Sequence, residues 1–243
     1  YGGQFFGDAD ITAVMDTWYA AGTEIVFACG GGIYTSAAEA AKKVGGKVIG
    51  VDTDQAPIID GMYGEGWYTG MVKLKERYCK GYFEIRCIVN SDPGFWSAFW
   101  LQANHPYEAE YSKGGVGGAE LDIFEAMNWG EGIAANGVAQ TIHCAGVDGA
   151  TEGYQSRMLG AFYGNDIYNE YNTYGLKWTE DEYIFYINGV ETRRSSFGNG
   201  VSQVPEDVIV SLEIPGEEEL DALDKETYKT DYIVDYVRIY QVG

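Results

Sequence analysis

Two spacings of apolar residues divide the chain near residue 66. In the first part, Asp8-Ala-Asp10 precedes Ile11, Val14, Met15 and Trp18, a helical period opened by cap-like aspartates. Glu24–Cys29 then reads as a short buried strand, Gly30-Gly31-Gly32 as a turn, and Ser36–Lys43 as a helix closed by Gly45-Gly46. Lys47–Asp52 is a second buried strand. Strand, glycine turn, helix and strand predict a βαβ unit with parallel pairing.

From Trp67 onward the period shortens to two. Met71–Lys75, Tyr82–Val89, Ser97–Leu101, Glu120–Met127, Ala139–Cys144, Asn172–Trp178, Tyr183–Ile187, Val208–Ile214 and Tyr232–Gln241 read as strands. Asn188-Gly189 between Tyr-Ile and Val-Glu is a hairpin signal. Strands at this density without intervening helices predict an antiparallel sandwich over 67–243, with a small N-terminal α/β segment over 1–66.

One strand breaks the alternation. In Glu120-Leu-Asp-Ile-Phe-Glu125, Glu120 and Asp122 share one face and Leu121 and Ile123 the other. Strict alternation turns Glu125 away, whereas a β-bulge near Ile123–Phe124 returns it to the face of Glu120 and Asp122. Two glutamates flanking an aspartate on one sheet face equip a retaining glycosidase: one attacks the anomeric carbon, and the other protonates the leaving oxygen and then activates water. Repulsion and partial burial would keep one of them protonated at neutral pH. Taken alone, the hexapeptide reads more economically as an acidic edge strand facing water.

Composition narrows the partners. The net charge of −21 repels phosphate backbones and argues against nucleic acid, and no apolar run is long enough to span a bilayer. Twenty Tyr, ten Phe and six Trp would fill a sandwich core and leave some rings for sugar faces. The chain opens at Tyr1 without a signal peptide, so an export signal is expected to have been removed or to lie outside this sequence. The spacing of Cys29, Cys79, Cys87 and Cys144 fits no zinc pattern. Cys79 and Cys87 lie in what reads as one strand, too far apart to bridge without a reversal, which favours free thiols.

Val26–Gly32 and Val48–Gln55 resemble the basic membrane protein family of periplasmic substrate-binding lipoproteins, many of which bind nucleosides. The resemblance covers part of one lobe, so a nucleoside site at Gly30–Gly32 and Asp52 would be half complete.

Gly81–Arg86, Gly94–Leu101, Glu120–Glu125, Thr141–His143, Tyr174–Trp178 and Val234–Tyr240 occur in the order found in glycoside hydrolase family 16, which residues 67–243 resemble. The resemblance implies a curved jelly-roll sandwich, Glu120 as nucleophile, Asp122 as the neighbour that tunes it and Glu125 as acid/base. It places Trp96 and Trp100 along or behind the sugar groove, one stacking a sugar and the other open to a plain core role, and His143 near the cleavage point. Trp129 is a further groove candidate or a surface-loop residue, and the motif resembles the laminarinase-like branch. A β-glucan is the implied partner, with a galactan such as agar or a non-catalytic carbohydrate-binding role as alternatives. An extracellular or periplasmic location follows, with no cofactor. The family's N-terminal strands are replaced by the βαβ segment, as in a chimera, and Met71 stands where many relatives carry an arginine. Asp235 matches a calcium-linked position whose N-terminal ligands are absent, so no metal is expected.

Overall fold

The computed structural model describes residues 6–28, 31–49, 69–92, 94–127, 136–163, 165–214 and 231–241. Backbone contacts divide the chain into two units, Tyr1–Tyr68 and Thr69–Gly243.

In the first unit, helix α1 (Ala9–Ala20) starts where the Asp8 side chain accepts the Ile11 amide at 2.8 Å. This bond satisfies one of the amides that a helix N-terminus leaves without partners. The buried face is Thr12, Met15 and Tyr19, whereas Val14 and Trp18 are exposed. The helix is therefore turned from the face its apolar spacing implies. Tyr19 fixes that rotation, because its hydroxyl donates to the Lys47 carbonyl at 2.7 Å. Strand β1 (Ile25–Phe27), helix α2 (Tyr34–Val44) and strand β2 (Lys47–Ile49) follow, and β1 pairs with β2 in parallel. Small residues Ala37, Ala40 and Ala41 let α2 pack closely, and Gly45 ends it with a left-handed φ of 69°. Cys29, Gly30 and Asp52 lie outside the described residues.

The second unit is a jelly-roll sandwich of two antiparallel sheets. Its strands are β3 (Gly70–Lys73), β4 (Gly81–Ile88), β5 (Trp96–Gln102), β6 (Glu120–Ala126), β7 (Gly137–Ala145) and β8 (Tyr154–Tyr163). They continue as β9 (Asn172–Trp178), β10 (Tyr183–Ile187), β11 (Val190–Ser195), β12 (Asp207–Glu213) and β13 (Ile233–Tyr240). One sheet runs β11-β10-β9-β4-β13, and the other β3-β12-β5-β6-β7-β8. Lys80 and Gly81 at φ of 66° and 118° turn the chain into β4, so Cys79 and Cys87 do not share a strand as expected. Cys79, Cys87 and Cys144 are free thiols.

Phe83, Ile85, Phe99, Leu101, Leu121, Phe124, Leu176 and Trp178 form the core between the sheets. Each such side chain contributes about 1.5–3 kcal/mol on burial. Phe124 reaches across to Tyr174 of the other sheet, with ring centroids 4.2 Å apart. One carboxyl lies inside this apolar region. Glu206 has no exposed surface, its backbone bridges Tyr78, and its Oε1 accepts the Ala119 amide at 3.0 Å, immediately before β6. Burial pushes its pKa up to about 8.

Candidate active site

Strand register brings the three carboxylates of β6 to one face. Asp122 pairs with Thr141 and Glu125 with Ala139, so two β6 residues, Ile123 and Phe124, face the single residue Gln140. On the other side Trp100 pairs with Asp122 and Phe99 with Phe124, again leaving one extra residue in β6. This is a β-bulge, and it sends Ile123 and Phe124 together into the core. Glu125 then lies with Glu120 and Asp122, and Thr141 Oγ1 donates to Glu125 Oε2 at 3.2 Å.

The environments of these groups differ. Burial raises the Glu125 pKa to about 8, helped by the charge of Asp122 and opposed by the Thr141 hydrogen bond. Burial also lifts Asp122, to about 6, with Glu120 adding to the rise and His143 pulling it back. His143 Nε2 lies 3.0 Å from Asp122 Oδ2, and Nδ1 lies 2.6 Å from Ser156 Oγ. Burial alone would lower the His143 pKa, but the Asp122 hydrogen bond and the surrounding carboxylates raise it above its usual value. At neutral pH Glu125 is thus a protonated acid beside an ionised, histidine-paired Asp122.

Glu120 is held differently. Gln102 Nε2 donates to its Oε2 at 2.5 Å, and the Tyr107 hydroxyl donates to the same oxygen. Ligand atoms of Glu120, Asp122 and His143 lie within 4.8 Å of one another, a donor set that can hold a cation. Strand register already accounts for their closeness, since Glu120 pairs with His143 across β6 and β7 and Asp122 lies two positions along the same face.

Trp100 pairs with Asp122, which puts it on the carboxylate face, and its indole donates to Ser211 Oγ at 3.0 Å. Trp96 and Trp100 are both half-buried and stand at alternate-face positions two steps apart on β5, so they share that face. Met71 pairs with Ser211 and shares the face too. His143 is present, but both ring nitrogens already have protein partners. Trp129 lies outside the described residues.

Sequence patterns did not single out Gln102, Tyr107, Ser156 or Glu213. Glu213, opposite Trp96 on β12, has its pKa raised by burial and by the charge of Glu120. Gln102 and Ser156 have a register signal, because they lie in one row with Glu120 and His143. Tyr107 comes from the β5–β6 connection and had none.

The sequence profile of glycosyl hydrolases family 16 matches residues 36–237. An endo-1,3-1,4-beta-glycanase, ExsH of Rhizobium meliloti (strain 1021), is 27% identical over 191 residues, covering 78% of this chain and 34% of the relative. A second enzyme of that name and organism, EglC, is 28% identical over 154 residues, covering 63% of this chain and 28% of the relative. The chain therefore spans about one third of the length of these relatives. Among solved structures, a kappa-carrageenase of Zobellia galactanivorans superposes with a TM-score of 0.59 at 22% identity, covering 72% of this chain and 71% of that one. The endo-beta-1,3(4)-glucanase SCLam gives 0.52 at 23% identity, covering 70% and 61%. Such structural likeness establishes the shared fold. The profile, spanning most of the chain and its carboxylate strand, establishes the lineage: this chain belongs to glycosyl hydrolases family 16.

Proposed function

We propose that this chain hydrolyses β-1,3 or mixed β-1,3/1,4-glucans internally, with retention of configuration. One observation carries the reading. The β6 bulge returns a glutamate with a pKa of about 8 to the face of Glu120 and Asp122. The names of the curated relatives support the substrate class.

Glu120 attacks the anomeric carbon while Glu125 gives its proton to the departing glycosidic oxygen. The covalent glycosyl-enzyme is then opened by water, whose proton returns to Glu125. Asp122 acts on both glutamates. Its charge favours the protonated form of Glu125, and its pairing with His143 keeps that charge in place through the cycle. Tyr107 and Gln102 orient Glu120. Trp96 and Trp100 provide the aromatic groove surface, and Trp129 is a further candidate on sequence grounds alone. The enzyme works outside the cytoplasm, on polysaccharide, and residues 1–66 are a fragment of a binding-protein lobe fused ahead of residues 67–243.

Reducing-sugar release from laminarin and lichenan tests the assignment, with agar as a parallel substrate. Glu120→Gln should lower kcat at least 1,000-fold on the preferred glucan, by analogy with the loss of single catalytic groups elsewhere, about 10⁴–10⁶. Unchanged turnover in that variant would remove Glu120 from the mechanism. Proton NMR of the first-formed product should show the β-anomer, and an inverted product would contradict double displacement.

A further inference from the structure

The connection from β5 to β6 does more than join two strands. Its Pro106 carbonyl accepts the Ala145 amide at 2.8 Å, and its Gly114 amide donates to the Ala145 carbonyl at 2.7 Å. Ala145 is the last residue of β7 and pairs with Tyr154 at the start of β8. The backbone therefore pins Tyr107, the residue after Pro106, beside Tyr154. Their ring centroids are 5.1 Å apart, and Tyr154 lies 5.9 Å from the His143 ring.

Both tyrosines remain open, with 42% and 58% of their surface exposed. Two adjacent, half-exposed rings offer aromatic surface that a ligand can cover. They also differ in their hydroxyls. That of Tyr107 is committed to Glu120 Oε2, so its ring is held at a fixed position relative to a reacting carboxylate.

Resting on the glucan-hydrolase reading above, we propose that Tyr107 and Tyr154 form an aromatic subsite that stacks a neutral hexopyranose ring of the polysaccharide. Aromatic faces match the apolar C–H face of a pyranose, and the surplus of acidic residues disfavours a sulfated or uronic sugar in this position. The Tyr107 hydroxyl links the subsite to the chemistry. A sugar that settles on the rings meets a tyrosine that also orients Glu120, so binding energy at this bank of the groove contributes to the reacting geometry.

Kinetics on laminarihexaose and laminaritriose separate the parts. Tyr154→Ala and Tyr154→Leu should raise KM for the hexasaccharide about two- to tenfold, since neither retains a flat ring, and Tyr154→Phe should restore it. Tyr107→Phe keeps the ring and loses the donor to Glu120, so kcat should fall about tenfold with KM little changed, as for a hydrogen bond to a charged group. Tyr154 is exposed, so these changes leave the core intact. If the native chain turns over neither laminarin nor lichenan, the glucanase reading fails and the subsite falls with it. If the native chain is active but Tyr154→Ala or Tyr154→Leu matches Tyr154→Phe, the subsite alone is overturned.

Discussion

Replacing Glu206 with glutamine should stabilise the sandwich at alkaline pH and change little in acid. The native side chain is fully buried and its pKa is raised from 4.5 to about 8. In the unfolded chain the same carboxyl ionises at its ordinary value, so the unfolded state loses its proton first as pH rises. Stability is therefore lost progressively between pH 4.5 and pH 8, the direction opposite to a salt-bridged carboxylate. A shift of about 3.5 units at 1.36 kcal/mol per unit corresponds to about 5 kcal/mol above pH 8. Glutamine keeps an oxygen for the Ala119 amide and carries no charge to bury. Urea unfolding, followed by tryptophan fluorescence at fixed ionic strength, would be compared for both proteins at pH 4, 6, 8 and 9. The stability difference should be near zero at pH 4 and grow to several kcal/mol at pH 9. A difference independent of pH, or a variant less stable than the parent at pH 9, refutes the buried-acid argument.

The pH dependence of kcat/KM should show an upper limb near pH 8, where Glu125 loses the proton that the proposed acid role requires. Asp122→Asn should move that limb downward, because the charge that helps to hold the proton on Glu125 is gone; an upward shift would contradict the coupling. Gly117→Ala would place a methyl 1.8 Å from the Tyr111 carbonyl oxygen, a backbone atom that cannot rotate away. The loss should be about 1–3 kcal/mol or more by thermal or chemical unfolding, with parallel loss of laminarin turnover as the Tyr107 connection shifts.

Legibility varied with the physics behind each feature. The β6 bulge was readable because an Ile-Phe pair interrupts strict alternation, and only one extra residue reconciles the apolar pair with Glu125. The ends of β9 and β10 were readable because aromatic runs stop at a Trp and at Asn188-Gly189. Strand β8 was not, since Tyr154 and Met158 are exposed, and Gly160 sits at a register shift with φ of 137°. An edge strand with an open face carries little apolar period to read. The rotation of α1 is not legible in the local spacing of Val14 and Trp18 because tertiary contacts set it: Met15 and Tyr19 pack with Ala37, Ala40 and Ala41 of α2, and the Tyr19 hydroxyl reaches Lys47. Tyr107 and Tyr154 escaped for a related reason. Their meeting depends on hydrogen bonds to Ala145, and no pattern within either segment encodes it.

The bulge also ties two selective pressures to one dipeptide. Ile123 and Phe124 lie inward, Phe124 against Tyr174 of the opposite sheet, while their neighbours Asp122 and Glu125 face the groove. Most strands separate packing from chemistry by alternation, so a core residue can be exchanged without moving its functional neighbour. Here the width of the Ile-Phe pair sets the spacing of the carboxylates. Repacking at 123 or 124 is therefore also an adjustment of the gap between the proposed catalytic carboxylates, and under that proposal a variant selected for a tighter core here would carry its consequence into turnover.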